Sequence, residues 1–127
     1  MNKLLIVLFM FPFFAKAQKM PEIKAMNRVI LHRGDTVFEF YTSQPPKKLK
    51  VDTARYYSWY RQDSIIVTQG GFAGKLLHGR FTVLFPNKNL MQEGYYKYGL
   101  KDGTWKVWNK DGELISTITW TNGKSQL

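Results

Sequence analysis

The sequence predicts an all-β protein, an antiparallel meander of repeated β-hairpins that form an open sheet. Three consecutive segments of equal length, 55–78, 79–102 and 103–126, align without a gap, and each alternates strand signals with turn signals. No segment after Ala17 shows the apolar stripe of a helix. The aligned positions are mostly large and apolar: Tyr57, Phe81 and Trp105; Trp59, Val83 and Val107; Tyr60, Leu84 and Trp108; Phe72, Tyr96 and Trp120.

Residues 1–17 have the features of a secretory signal peptide. Lys3 gives a positive start, Leu4–Phe14 is apolar, and residues 15–17 (Ala-Lys-Ala) supply small side chains for cleavage. The apolar run is shorter than the roughly 20 residues that a membrane span needs. We therefore expect an exported protein that begins near Gln18, in the periplasm or at the cell surface, with a retained N-terminal anchor as the alternative.

The composition restricts the classes of function. The chain has 19 Lys and Arg against 9 Asp and Glu, a formal net charge of +10, and it contains no cysteine. The absence of cysteine excludes disulfides, thiol chemistry and lipidation at cysteine. A basic surface favours acidic partners, but export disfavours nucleic acid as the partner.

The segment 18–50 is predicted to contain a leader, one hairpin and a connection. Residues 29–31 and 36–41 are rich in β-branched and aromatic side chains, and His-Arg-Gly-Asp between them has turn chemistry. Pro45 and Pro46 favour an extended connection that separates this hairpin from the repeats.

Residues 51–127 are predicted to form the repeat domain. In the last copy, Thr104–Trp108 has strand character, residues 109–112 (Asn-Lys-Asp-Gly) reverse the chain, and Glu113–Trp120 runs back. Asp-Gly and Asn-Gly are strong hairpin signals because glycine accepts positive φ without steric cost. Each copy is therefore expected to be one hairpin.

Side chains alternate between the two faces of a strand, so Trp105 and Val107 are expected on one face and Lys106 and Trp108 on the other. We expect the file of aromatics that contains Trp105 to form the core. The opposite file is either a second core layer or a binding face. The candidate binding residues are Trp59, Tyr60, Leu84, Trp108, Lys106 and Lys110.

The residues 98–105, Tyr-Gly-Leu-Lys-Asp-Gly-Thr-Trp, followed by 111–114, Asp-Gly-Glu-Leu, resemble the MORN repeat (membrane occupation and recognition nexus). The similarity is to the bacterial variant of YwqK-type antitoxin components, and it covers 55–124. It implies an open array of hairpins that binds proteins or, in some members, phospholipids, with no catalytic residues in the repeat. An antitoxin role is a remote alternative, because a cytoplasmic antitoxin would not carry an export signal.

Candidate catalytic residues are few. The two histidines, His32 and His78, both fall at predicted turns, and His78 aligns with Asp102 one repeat later. No His or Asp pair has metal-ligand spacing. We therefore expect no enzyme activity, no metal and no cofactor; a hydrolase is the distant alternative.

The function predicted from the sequence is an exported, non-catalytic interaction module with a protein partner in the cell envelope. The alternative is attachment to an anionic lipid or glycan surface through Lys97, Lys101, Lys106 and Lys110. The strand near Trp120 has no successor to cover its edge, which also allows pairing between two copies.

The sequence places Trp105 in the core, and this choice is testable. Trp105→Ala is expected to lower the free energy of unfolding by about 3–5 kcal/mol, as for deletion of other buried aromatic side chains. Chemical denaturation measures this difference, and an unchanged melting temperature would place Trp105 on an exposed face instead.

Overall fold

The structure, a computed structural model, describes residues 26–126. The predicted signal peptide and residues 18–25 of the predicted leader lie outside the described residues. The described chain forms one curled, open half-barrel sheet of antiparallel strands, which confirms the predicted all-β fold. Within that range, no helix is long and apolar enough to span a bilayer.

Ten strands form the sheet of the described chain. Their spatial order is β10-β9-β8-β7-β6-β2-β5-β3-β4, and β1 pairs with the remaining edge of β2. In chain order the strands are β1 (Met26–Arg33), β2 (Thr36–Ser43), β3 (Tyr56–Arg61), β4 (Ser64–Gln69), β5 (Lys75–Leu77), β6 (Gly79–Leu84), β7 (Leu90–Lys97), β8 (Leu100–Trp108), β9 (Leu114–Thr121) and β10 (Lys124–Ser125). The prediction that no strand covers the edge near Trp120 is wrong, because Ser125 of β10 pairs opposite Trp120.

The predicted leading hairpin is present as β1 and β2. Instead of standing apart from the repeats, β2 pairs with β6 through residues 37–39 and with β5 through residues 42–43. Leu31 and Phe40 of this hairpin belong to the core, at 8% and 1% exposure. The hairpin and the repeats therefore share one sheet and one core.

The main core lies on one face of the sheet, which we call the inner face. Trp105 is buried as predicted, at 4% exposure, and its ring centroid lies 4.9 Å from Tyr96 and 5.6 Å from Phe81. Aromatic pairs at such distances add stability beyond the area that they bury. The buried residues of this cluster are Leu31, Phe40, Leu77, Phe81, Val83, Tyr96 and Trp105.

A second cluster lies on the opposite, outer face and consists of Tyr57, Trp59 and Leu76. Leu76 and Leu77 are consecutive in β5, so they point to opposite faces of the sheet. Leu77 belongs to the inner cluster and Leu76 to the outer one. The prediction that Tyr57 shares a file with Phe81 and Trp105 is therefore wrong, although all three are buried.

The first copy departs from the repeat pattern because of its strand pairing. β6 and β8 pair with the strands that follow them in the chain, β7 and β9, within one continuous meander. β3 also pairs with the strand that follows it, β4, but it comes after a long loop and its other edge pairs with the short strand β5, with Trp59 opposite Leu76. Cross-strand partners share a face, so Trp59 lies on the outer face with Leu76. Tyr57, two residues earlier on β3, lies on the same face.

Successive repeats are joined by a side-chain acceptor at one register position. The backbone N–H of Tyr98 donates to His78 Nδ1 over 3.0 Å, and at the equivalent position of the next repeat the N–H of Asn122 donates to Asp102 Oδ1 over 3.1 Å. The His78 ring also stacks on Tyr98 at 4.0 Å between centroids. His78 and Asp102 therefore make equivalent contacts in successive repeats, each accepting a hydrogen bond from the backbone of the next turn.

A backbone contact repeats with the same spacing. Gly99 N–H donates to Leu77 C=O over 2.7 Å, and Gly123 N–H donates to Lys101 C=O over 2.8 Å. A β-carbon on Gly99 would lie 2.7 Å from Leu76 Cδ2, and its φ of +85° favours glycine. Each of these two hairpin turns is thus linked to the preceding repeat by two hydrogen bonds, one to a side-chain acceptor and one to a backbone carbonyl.

Gly94 offers a direct test of this core. A β-carbon at Gly94 would overlap the indole ring of Trp105, so Gly94→Ala is expected to destabilise the fold by about 1–3 kcal/mol through overpacking. A β-carbon at Gly71 would meet no atom within 4 Å apart from its neighbours in the chain, so Gly71→Ala is the matched control. It should change the free energy of unfolding by less than about 0.5 kcal/mol. Equal midpoints for the two variants in urea unfolding would contradict the packing of Trp105 on Gly94.

Candidate functional site

A cavity of about 410 Å³ opens on the inner face where the β3–β4 hairpin meets β7, β8 and β9. This volume lies within the range of about 300–1,000 Å³ that ligand pockets occupy. The residues that line this inner pocket are Tyr56, Ser58, Val67, Phe81, Gln92, Tyr96, Lys101, Trp105, Trp120 and Gly123.

The floor of the inner pocket is aromatic and fixed in position. Phe81, Tyr96 and Trp105 line it and are also members of the buried core. The Trp105 Nε1–H donates to the Tyr95 carbonyl over 3.1 Å, which fixes the orientation of the indole ring. A floor of interlocked rings is preorganised and does not need to be ordered when a ligand binds.

The rim of the inner pocket is apolar and exposed. Tyr56 is 62% exposed and Val67 is 57% exposed, on neighbouring strands of the β3–β4 hairpin. Trp120 on β9 is half-buried at another side of the opening. An exposed apolar patch next to an aromatic cavity is typical of a binding surface.

Two polar side chains meet inside the inner pocket. Ser58 Oγ donates to the Tyr96 hydroxyl over 3.4 Å. Burial raises the pKa of Tyr96 above its usual value, and the hydrogen bond from Ser58 opposes this shift. Tyr96 therefore stays neutral at ordinary pH, and its hydroxyl is paired with Ser58, which also lines the cavity.

Lys101 brings a positive charge into this aromatic environment. Its Nζ lies 4.8 Å from the ring centroid of Trp105 and 4.9 Å from that of Trp120. Within the described part of the chain, its ammonium makes no hydrogen bond and no ion pair. Burial of this half-buried side chain lowers the pKa of Lys101 below its ordinary value.

The predicted binding face does not form one surface. Trp59 was expected to be exposed, but it is 6% exposed and belongs to the outer cluster, so this prediction is wrong. Its neighbour Tyr60 faces inward, where its ring lies 5.5 Å from Phe40 and its hydroxyl donates to Asp63 over 2.9 Å. Pairing with Leu76 sends Trp59 outward, and strand alternation then places Tyr60 on the opposite face.

The other members of the predicted face lie on the repeat hairpins. Leu84 and Trp108 are half-buried and follow register shifts in their strands, whereas Lys106 and Lys110 are exposed. Lys106 lies opposite Glu93 of β7, away from the inner pocket. Of the residues proposed from the sequence as the binding face, none lines the inner pocket.

The sequence did contain a signal for the inner pocket. Lys101 aligns with Leu77, a fully buried core residue one repeat earlier, and strand alternation places Lys101 on the same face as Trp105. Ser125 takes the same position in the last copy, so Lys101 is the one charged side chain in this register, and a charge where another copy has a buried leucine is expected at functional sites. The turn residues beside Lys101 group it with the surface lysines, which is why the sequence predicts it at an anionic surface and not in a pocket.

A second cavity, of about 390 Å³, lies on the outer face and is the more basic of the two. Lys50, Arg55 and Lys97 line it, with Asp52 as the acidic neighbour of Arg55 at 3.9 Å. The outer cavity therefore has a net positive lining, and it contacts the repeat turn through Tyr98.

The chemistry of the inner pocket suits binding. Among the described residues that line it there is no histidine, aspartate or glutamate that could act as a base. Across residues 26–126, no three His, Asp or Glu side chains come together as a metal-binding group. Aromatic walls, hydroxyls and one ammonium can hold an apolar group and an anion.

In structural terms, the protein is a curled antiparallel sheet with an aromatic cavity on its inner face. No protein-family model, curated protein or solved structure matches this chain. The resemblance to the MORN repeat therefore stays a prediction from the residues that carry it.

Replacing Lys101 by the residue at the equivalent position tests its environment. Lys101→Leu is expected to raise the free energy of unfolding at neutral pH, because it removes a desolvated charge where the scaffold already accepts Leu77. The folded state binds its Lys101 proton less tightly than the unfolded state, so wild-type stability recovers as the pH rises through the lowered pKa towards about 10.5.

The difference in melting temperature between Lys101→Leu and wild type should therefore shrink as the pH rises from neutral towards 10.5. Lys106→Leu, on the same strand but exposed, is the control and should show no such trend. A constant difference across this pH range would show that the Lys101 ammonium is fully solvated.

Proposed function

We propose that this protein is a non-catalytic binding module of the cell envelope that holds a protein partner at the inner pocket. One observation carries the proposal: a preorganised aromatic cavity of about 410 Å³ opens between exposed apolar residues on a well-packed sheet. Binding energy at protein interfaces is concentrated where an anchoring side chain enters such a pocket.

Burial distinguishes this pocket from an ordinary gap in the core. Phe81 and Trp105 are 6% and 4% exposed and hold the floor in place, whereas Tyr56 and Val67 are exposed apolar residues without an evident role in packing. An exposed tyrosine and valine at a cavity mouth are costly to leave in water, and a partner that covers them gains apolar burial.

The envelope location and the class of protein come from the sequence. The N-terminal segment 1–17 has the pattern of an export signal, and 55–124 resembles the MORN repeat, whose members bind partners without catalysis. The described lining residues of the inner pocket include no histidine, aspartate or glutamate, which fits that class.

Attachment to an anionic lipid or glycan surface is the second candidate, and the outer cavity favours it. Lys50, Arg55 and Lys97 surround that cavity, and Lys106 and Lys110 are exposed. Contacts of this kind weaken steeply as salt screens them, whereas an apolar anchor in the inner pocket does not.

The two candidates separate in one recovery experiment. Tagged protein is recovered from its native envelope and washed at low and then at high salt, and the retained proteins and lipids are identified. We expect a discrete protein that stays bound at high salt. Loss of all bound material at high salt, with anionic lipid or glycan in the eluate, would contradict the proposal and support the outer surface instead.

Two matched variants locate the interface. Val67→Glu places a charge at the rim of the inner pocket and should reduce partner recovery about tenfold or more. Ile115→Glu is the control, because Ile115 is similarly exposed, at 61% against 57%, but does not line the inner pocket. Equal recovery by both variants would exclude the inner pocket as the interface.

A further inference from the structure

Lys101 places a charge on the inner face at a position where another copy of the repeat has an apolar residue. Its register equivalent, Leu77, is fully buried and packs in the main core. The scaffold therefore accepts an aliphatic side chain at this position, and a lysine there brings a desolvation cost. A charge introduced at such a cost is expected at a functional position.

The surroundings hold the ammonium of Lys101 in place but do not neutralise it. The ring centroids of Trp105 and Trp120 lie 4.8 and 4.9 Å from Nζ, and their quadrupoles attract the cation. An ammonium has three hydrogen-bond donors, and no described residue accepts from this one. The inner pocket thus contains a positioned donor group that lacks an anionic partner among the described residues.

Charge complementarity points to an anion as the ligand of this donor. No described lining residue of the inner pocket is acidic, so no negatively charged side chain there repels a carboxylate. Burial lowers the pKa of Lys101 because the charge is poorly solvated, and a bound anion would reverse that penalty. Charge-assisted hydrogen bonds between an ammonium and a carboxylate are among the stronger polar contacts in proteins.

The apolar walls require that the anion carry an apolar group. Phe81, Trp105 and Trp120 line the cavity around Lys101, and the Tyr96 hydroxyl adds a polar contact. The cavity volume of about 410 Å³ suits a single large side chain with its carboxylate better than a longer peptide.

The rim favours a polypeptide over a small free acid. Tyr56 and Val67 extend the apolar surface out of the cavity along the β3–β4 hairpin. Among the described strands, β4 pairs only with β3, so its other edge can accept backbone hydrogen bonds from an extended chain. A chain that leaves the cavity would therefore find both side-chain and backbone contacts.

We propose that the inner pocket binds the C-terminus of a partner polypeptide, with an apolar or aromatic last side chain against Phe81 and Trp105 and its terminal carboxylate on the Lys101 ammonium. This inference rests on the proposed function, because it names the part of the protein partner that the inner pocket recognises. It assigns Lys101 as the residue that sets specificity for a free chain end.

Three probes test the inference with the full chain: acetyl-Gly-Ser-Gly-Ser-Phe with a free carboxylate, the same peptide with a C-terminal amide, and 3-phenylpropanoate. Binding is measured by isothermal calorimetry and by the fluorescence of the pocket tryptophans, Trp105 and Trp120. We expect the peptide acid to bind at least about tenfold more tightly than the amide, a difference of ~1.4 kcal/mol. We also expect it to bind more tightly than 3-phenylpropanoate.

The variant Lys101→Leu should lose the preference for the acid and bind both peptides with the affinity that wild type has for the amide. Retained amide binding shows that the variant is folded and its apolar pocket intact. Lys106→Leu, on the other face of β8, is the matched control and should keep the wild-type preference.

Three outcomes would overturn the inference. Equal affinity of wild type for acid and amide would remove the role of Lys101 while leaving the inner pocket as a protein-binding site. Binding of 3-phenylpropanoate as tight as that of the peptide acid would identify a small free acid as the ligand. Absence of binding for all three probes, together with a partner whose recovery ignores Val67→Glu, would overturn both this inference and the proposed function.

Discussion

The packing of Trp105 on Gly94 is the contact on which the core and the inner pocket both depend. A β-carbon at Gly94 would occupy the space of the indole ring, so glycine there lets Trp105 lie flat against β7. From that position the ring meets Phe81 and Tyr96 and also lies beside the Lys101 ammonium. Gly94, which has no side chain, thus sets how closely Trp105 packs on β7 and, through Trp105, the shape of the cavity.

The sequence predicted the fold well because the regular spacing of the repeats and the Asn-Gly and Asp-Gly turns act locally. It did not predict the orientation of the first copy. The outward position of Tyr57 and Trp59 follows from the pairing of β3 with β5, a contact that no local pattern encodes. The predicted face containing Trp59 and Tyr60 failed for this reason, since alternation along β3 separates the two side chains.

The same distinction explains why the site was harder to predict than the fold. Aromatic files indicate packing in any small sheet, and they do not show which rings also border a cavity. The inner pocket exists because the β3–β4 hairpin meets β7, β8 and β9, a tertiary arrangement. Lys101 alone carried a local signal, through its mismatch with Leu77, and its meaning depends on the tryptophans that the fold brings beside it.

The shared contact of His78 and Asp102 has a consequence for how such an array diverges. An imidazole nitrogen and a carboxylate oxygen both accept from the backbone of the next turn, so the contact requires an acceptor atom at this place and admits more than one residue type. One position earlier in the first two repeats, Leu77 and Lys101 face the interior. Two neighbouring copies can therefore differ in charge on their inward side while the contact that joins each of them to the next turn is kept.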